Sequence, residues 1–153
     1  MLPTGRHEIA LTVTDGRGAS ASDTTIVTIS HRAAPTIASV SANPSVLWPP
    51  DHTMTAISIQ ASASDACDDA PTVRIVSIAS SEPADLPGDG QTDPDWAVTG
   101  PLTVSLRAER SGTGTGRVYT ITLQAIDAAG NASEPRTVTV VVPKNQSRAR
   151  RTP

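Results

Sequence analysis

The chain has 153 residues, a formal net charge of −3, 2% aromatic residues and no phenylalanine, with Ser, Thr, Val, Ala and Pro outweighing the usual helix formers. That length holds one domain with a core, or one domain and part of another, and that composition favours strands. Lys144, Arg148, Arg150 and Arg151 stand at the end without an acid, so removing their four positive charges from −3 leaves −7 on the body, which argues against a nucleic-acid partner because phosphate binding needs clustered Lys and Arg.

In chain order, MLPTGRHEIALTV (1–13) lacks a basic segment followed by an apolar one, so it does not read as a secretory signal. It runs at once into alternation, with Ile9, Leu11 and Val13 on one face, which predicts a strand in a chain cut from something longer. A turn at DGRG (15–18) and a second strand through TTIVTI (24–29) complete a hairpin. HRAAPT (31–36) follows as a Pro-stiffened linker. Pro44, Pro49 and Pro50 forbid a central strand and predict an extended crossing between sheets, anchored by Leu47 and Trp48. Alternation then returns at Ile57 and Ile59, at Leu102, Val104 and Leu106, at Tyr119, Ile121, Leu123 and Ala125, and at Val138, Val140 and Val142. Gly, Pro, Asp and Asn bound these segments, the pattern of an antiparallel sandwich, and no segment keeps a helical period. No run of about 18 apolar residues is present to span a bilayer.

The chain also repeats itself. LTVTDGRGASASDTTIVTI (11–29) lies on LQAIDAAGNASEPRTVTVV (123–141) at a constant offset of 112, matching Leu11 to Leu123, Asp15 to Asp127 and Gly18 to Gly130. Both copies read strand, Asp-x-x-Gly turn, strand. An offset near one domain length, with only the final hairpin in the first copy, predicts the end of one module at 1–31, a linker at 32–35, a complete module at 36–143 and a basic, disordered tail at 144–153.

LPTGRHEIALTVTDGRGASASDTTIVTI resembles the C-terminal hairpin of polycystic-kidney-disease domains, and RVYTITLQAIDAAGNASEPRTVTVVV is similar to the ends of hyalin-repeat and bacterial immunoglobulin-like modules. The resemblance implies an all-β, immunoglobulin-like antiparallel β-sandwich preceded by an extra N-terminal β-hairpin. It also implies an extracellular, tandem, non-catalytic setting in a secreted or cell-surface protein, often beside hydrolase domains; the expected partners are neighbouring modules of the same polypeptide, with a cell-surface protein or carbohydrate as the alternative. Hyalin-type repeats pair the cysteine of a segment like DAC (65–67), but the position expected to answer it, near Val73, is not Cys. The lone Cys67 therefore has no internal disulfide partner.

Eight of the fifteen acids, Asp65, Asp68, Asp69, Glu82, Asp85, Asp89, Asp93 and Asp95, fall between 65 and 95 against one base, Arg74. Clustered carboxylates repel one another unless solvent or a cation intervenes, and Ca²⁺ takes about 6–8 oxygen ligands from such loops. The candidate calcium ligands are Asp89, Asp93 and Asp95 in GDGQTDPDW, with Asp65, Asp68 and Glu82, and with Asp127 and Asn131 if the loops share one end of the sandwich. The register of an EF-hand is absent, and plain solvated turns are the competing reading.

LWPPDHTM (47–54) is the other conspicuous stretch. Asp51 and His52 have no nucleophile motif elsewhere to work with, so no enzyme is expected. One His and one Asp are too few for a zinc site. A sugar-binding alternative would use Trp48 beside Asp51 and His52, or Trp96 beside Asp95. Against it, Trp48, Trp96 and Tyr119 are the only large aromatics and are expected to fill or cap the core. Arg107, Glu109 and Arg110 are expected to decorate one face of a hairpin.

Overall fold

A computed structural model describes residues 5–30, 32–83 and 94–145. The described residues form nine strands and no helix: β1 (Gly5–Thr14), β2 (Ser20–Ile29), β3 (Thr36–Asn43), β4 (Met54–Ser64), β5 (Thr72–Ser80), β6 (Trp96–Gly100), β7 (Thr103–Arg107), β8 (Gly116–Ile126) and β9 (Arg136–Pro143). They divide into two compact units, one ending at Ala33 and one starting at Ala34. Asp85, Asp89 and Asp93 and the tail beyond Asn145 lie outside the described residues.

The first unit is the hairpin β1–β2, paired from Gly5↔Ile29 to Thr14↔Ser20. Its turn is held by one carboxylate. Asp15 Oδ1 accepts the Arg17 and Ala19 amides at 2.8 and 2.9 Å, and Gly18 takes a φ of 87° that an L side chain resists. The register sets Ile9, Leu11 and Val13 on the same face as Val27 and Ile29.

The second unit is two antiparallel sheets, β3-β4-β7-β6 and β5-β8-β9, that share one core as in a β-sandwich. β8 is its axis. Every second residue of that strand is buried from Arg117 to Ala125, so Tyr119, Ile121, Leu123 and Ala125 meet Ile37, Ile57, Ile59, Val104 and Leu106 of the facing sheet. Each of the larger side chains contributes roughly 1.5–3 kcal/mol by leaving water. The crossing after β3 leaves its own sheet: Leu47 N donates to Val141 O at 2.9 Å and Val141 N to Ser45 O at 2.9 Å, so the segment lies along β9.

The repeat read from the sequence has a geometric counterpart. Asp127 N donates to Asn131 O as Asp15 N does to Ala19 O, and Gly130 has a φ of 89° against 87° at Gly18. The aromatics divide differently from expectation. Leu47, 2% exposed, enters the core while Trp48, 38% exposed, does not; on an extended chain neighbours point opposite ways. Tyr119 is buried, and Trp96 is half-buried with its ring edge-on to Tyr119 at 6.3 Å.

Candidate functional site

Extending the β8 alternation one step before Tyr119 puts a guanidinium in the core. Arg117 is fully buried, and burying a charge is tolerated only if it is paired and hydrogen-bonded. Segments flanking three neighbouring strands, with β8 itself, supply partners at one end of the sandwich. Asp95, just before β6, accepts from Nη1 at 2.6 Å. Glu109, just after β7, accepts from the same nitrogen at 3.4 Å. Glu82, after β5, places Oε2 3.5 Å from Nε, and Pro83 O accepts from Nη2 at 3.3 Å. Tyr119, two residues along β8, accepts from Nη1 at 3.2 Å and donates its own hydroxyl proton to Arg107 O at 2.9 Å.

Glu109 also reaches outward. Its Oε2 lies 3.2 Å from Nδ1 of His52, the one described non-glycine residue with a positive φ, 63°. The conformation is held by backbone bonds to the chain running on from β7: His52 N donates to Ala108 O at 3.0 Å and Ala108 N to Thr53 O at 2.8 Å. Arg107 Nη1 adds a bond to His52 O at 3.0 Å. Glu109 therefore does not decorate a hairpin face as expected; with no exposed surface it connects Arg117 to the 47–54 loop. Arg107 turns the same way, toward His52 O and Pro94 O.

Electrostatics at this end follow from burial. Asp95 loses hydration and faces Glu109, and these two effects push its carboxyl up to about 6 although Arg117 opposes them. Burial alone would lower the Arg117 pKa, but Tyr119 and Asp95 outweigh it and hold the guanidinium above its ordinary value. Burial pushes the Tyr119 phenol up.

Of the eight expected calcium ligands, the six described fall at two ends of the sandwich. Asp95 and Glu82 turn to Arg117. Asp65, Asp68, Asp127 and Asn131 sit at the other end of β8, a strand of 11 residues and so roughly 35 Å long at about 3.3 Å per residue. Asp89 and Asp93 lie outside the described residues. At the far end the carboxylates are occupied by backbone amides: Asp65 Oδ1 accepts from Cys67 and Asp68, Asp68 from Ala70 and Ala128, and Asp127 from Asn131. Burial would raise the Asp127 carboxyl, but its bonds to Asn131 outweigh that and hold it below the usual carboxylate range. Among the described residues no three His, Cys, Asp or Glu side chains come together to hold a metal ion; at the Arg117 end the guanidinium supplies the positive charge.

Trp48, Pro49, Asp51, Thr53 and Thr55 line a shallow groove of about 250 Å³ on the outside of the same loop. The bond from Thr53 Oγ1 to Asp51 Oδ1, 2.7 Å, holds the Asp51 carboxyl below its ordinary value. His52 faces away from this groove's lining and toward Glu109, so the Trp48, Asp51 and His52 set splits between two surroundings. Trp96 packs on Tyr119 with Asp95 committed to Arg117, so that pair does not form a separate platform. Sequence reasoning missed Arg117 as a buried centre, although its position in phase with Tyr119 and Ile121 carried the signal. No helix among the described residues is long and apolar enough to cross a membrane. The chain matches no protein-family model, no curated protein and no solved structure.

Proposed function

We propose that the chain is a non-catalytic structural module, an immunoglobulin-like sandwich following the last hairpin of a similar unit, that serves as a spacer or adhesion element in a secreted or cell-surface multidomain protein. The repeated hairpin carries this reading: both units end in the same strand, Asp-x-x-Gly turn and strand, closed by the same backbone bonds. Strand order supports the finer label. If β3 to β9 are lettered A to G, the sheets read A-B-E-D and C-F-G, the order of immunoglobulin constant-type domains. The polar groups that could act on a substrate instead hold the fold, Arg117 with Asp95 and Glu109, and His52 with Glu109.

A spacer must resist extension. Pulled by atomic-force microscopy in a polyprotein, the second unit should give one discrete unfolding event that lengthens the chain by roughly 350 Å, at about 3.3–3.6 Å per residue. Smooth extension without such an event would sink the mechanical reading. Calcium enters it as an added stiffener: a melt in millimolar calcium that rises by several degrees over one in chelator, and no longer does so in Asp89→Ala or Asp93→Ala, assigns an ion to the acidic stretch.

A second reading rests on Trp48, which is 38% exposed beside Asp51 and Thr53 in the 250 Å³ groove. An indole face with hydroxyl and carboxylate neighbours suits a sugar ring. Glycan titration that shifts tryptophan fluorescence in the native chain and not in Trp48→Ala would favour this accessory-module reading.

A further inference from the structure

Asp95 and Glu109 form a buried pair of acids against one shared donor. Arg117 Nη1 bonds Asp95 Oδ2 at 2.6 Å and Glu109 Oε1 at 3.4 Å. The other Asp95 oxygen, Oδ1, is buried and accepts no hydrogen bond; the nearest cationic nitrogen, Arg107 Nε, stands 4.0 Å away and is itself buried without an acceptor. An orphaned carboxylate oxygen in the core is costly. The Asp95 and Glu109 carboxyls are neighbours, since both accept from Arg117 Nη1 and both stand 4.0 Å from Arg107 Nε. Two ionised carboxylates so placed repel, and one can donate a hydrogen bond to the other only when it carries a proton.

We infer that the Asp95–Glu109 pair is a proton-binding latch, which takes up one proton in mild acid and thereby tightens this end of the sandwich and the 47–54 loop joined to it through His52. The groups facing the pair are Arg117 and Tyr119 on β8, Arg107 on β7, Glu82 after β5 and His52 on the loop. Three carboxylates, those of Asp95, Glu109 and Glu82, answer the two guanidinium groups of Arg107 and Arg117, and one added proton balances these five. The proton lets one of these two carboxyls donate to the other.

The sign is opposite to that of an ordinary ion pair. Asp95 has its folded pKa raised from 3.8 to about 6, so the folded state binds the proton more tightly and stability rises as pH falls through about 6, with the gain complete below the unfolded value. Between about pH 7.5 and about pH 5 this predicts a rise of about tenfold in the folding equilibrium constant.

Urea denaturation of the full chain at those two pH values tests it. The native chain should gain stability on acidification. Asp95→Asn, whose amide is a permanent donor to Glu109, should show no such gain and should already be at least as stable as the native chain near pH 7.5. His52→Asn should keep the gain, which separates the carboxyl pair from the imidazole. A native chain whose stability does not rise over this range, an Asp95→Asn chain that keeps the full rise, or a His52→Asn chain that loses it would each overturn the inference. Should Asp95→Asn not fold, carboxyl-carbon NMR of the native chain decides the matter: one of the two carboxyls must titrate well above the ordinary aspartate range, and two ordinary titrations would refute the latch.

Discussion

Replacing Arg117 with Met keeps an unbranched, flexible stem and removes the cation that bonds both buried acids through one nitrogen, leaving Arg107 Nε at 4.0 Å from each. Asp95 and Glu109 have side chains 1% and 0% exposed, so neither can turn to solvent without opening the end of the sandwich. Breaking a buried ion pair from one side costs about 3–5 kcal/mol. The protein can limit the loss by protonating a stranded aspartate, which at pH 7, about three units above its ordinary pKa, costs about 4 kcal/mol against the unfolded chain; the native fold, with Asp95 raised to about 6, already bears part of that cost. A loss near 4 kcal/mol corresponds to about 15 °C in the melting of a domain of this size. Circular dichroism melts and urea curves near pH 7 would measure it, and the deficit should shrink toward pH 4 as the stranded acids take up protons from solvent. Arg117→Lys, which restores a charge without the planar fork that reaches several acceptors, should fall between the two. A deficit below about 1 kcal/mol, or one that does not change with pH, would mean that Arg117 is not the electrostatic centre of this end.

Three further outcomes follow from single positions. Gly116 has a φ of +114°, and a Cβ there would lie 2.7 Å from Val142 O; Gly116→Ala should cost about 2–5 kcal/mol in a urea melt, whereas Gly130→Ala, at φ +89° with no atom within 4 Å, should cost about 1–2 kcal/mol. Leu47→Ala should cost about 2–5 kcal/mol and Trp48→Ala less, despite the larger side chain, because only Leu47 lies in the core; equal losses would show that the loop packs the other way. Asp127→Ala should remove stability that is present above the unfolded aspartate pKa and lost as pH falls through the lower folded value, so the variant and the native chain should converge in strong acid; a gap that persists there would assign Asp127 a role other than its charge.

The strand faces were legible because alternation is a direct record of burial. Tyr119, Ile121, Leu123 and Ala125 point inward as their spacing requires, and the hairpin turns follow from Asp and Gly at fixed positions. Arg117 was in the same phase but was masked by its charge, since Arg is almost never fully buried unless paired and its partners come from 82, 95 and 109. Glu109 was hidden for a different reason. The chain continues past β7 beneath the 47–54 loop, and only the bonds from His52 and Thr53 to Ala108 reveal that cover. The acidic stretch misled through linear density: Asp65 and Asp68 lie before β5, whereas Glu82 lies after it, so the strand that separates them in sequence also carries them to different ends of the sandwich.

In LWPPDHTM the Asp-His pair is tied into the fold on two sides. Asp51 bonds Thr53 within its own turn. His52, 46% exposed at its side chain, spends its inward nitrogen on a fully buried Glu109. The left-handed backbone at His52 disfavours a non-glycine residue by about 1–2 kcal/mol, yet Gly at that position would lose the imidazole that reaches Glu109. Glu109 in turn needs the loop, because without it the carboxylate side of the Arg117 cluster would open to water. Leu47 fixes the start of the loop in the core and His52 fixes its end on the ion cluster. The prolines between them shorten the distance the chain must search, so the loop closes one end of the sandwich as a preformed cap.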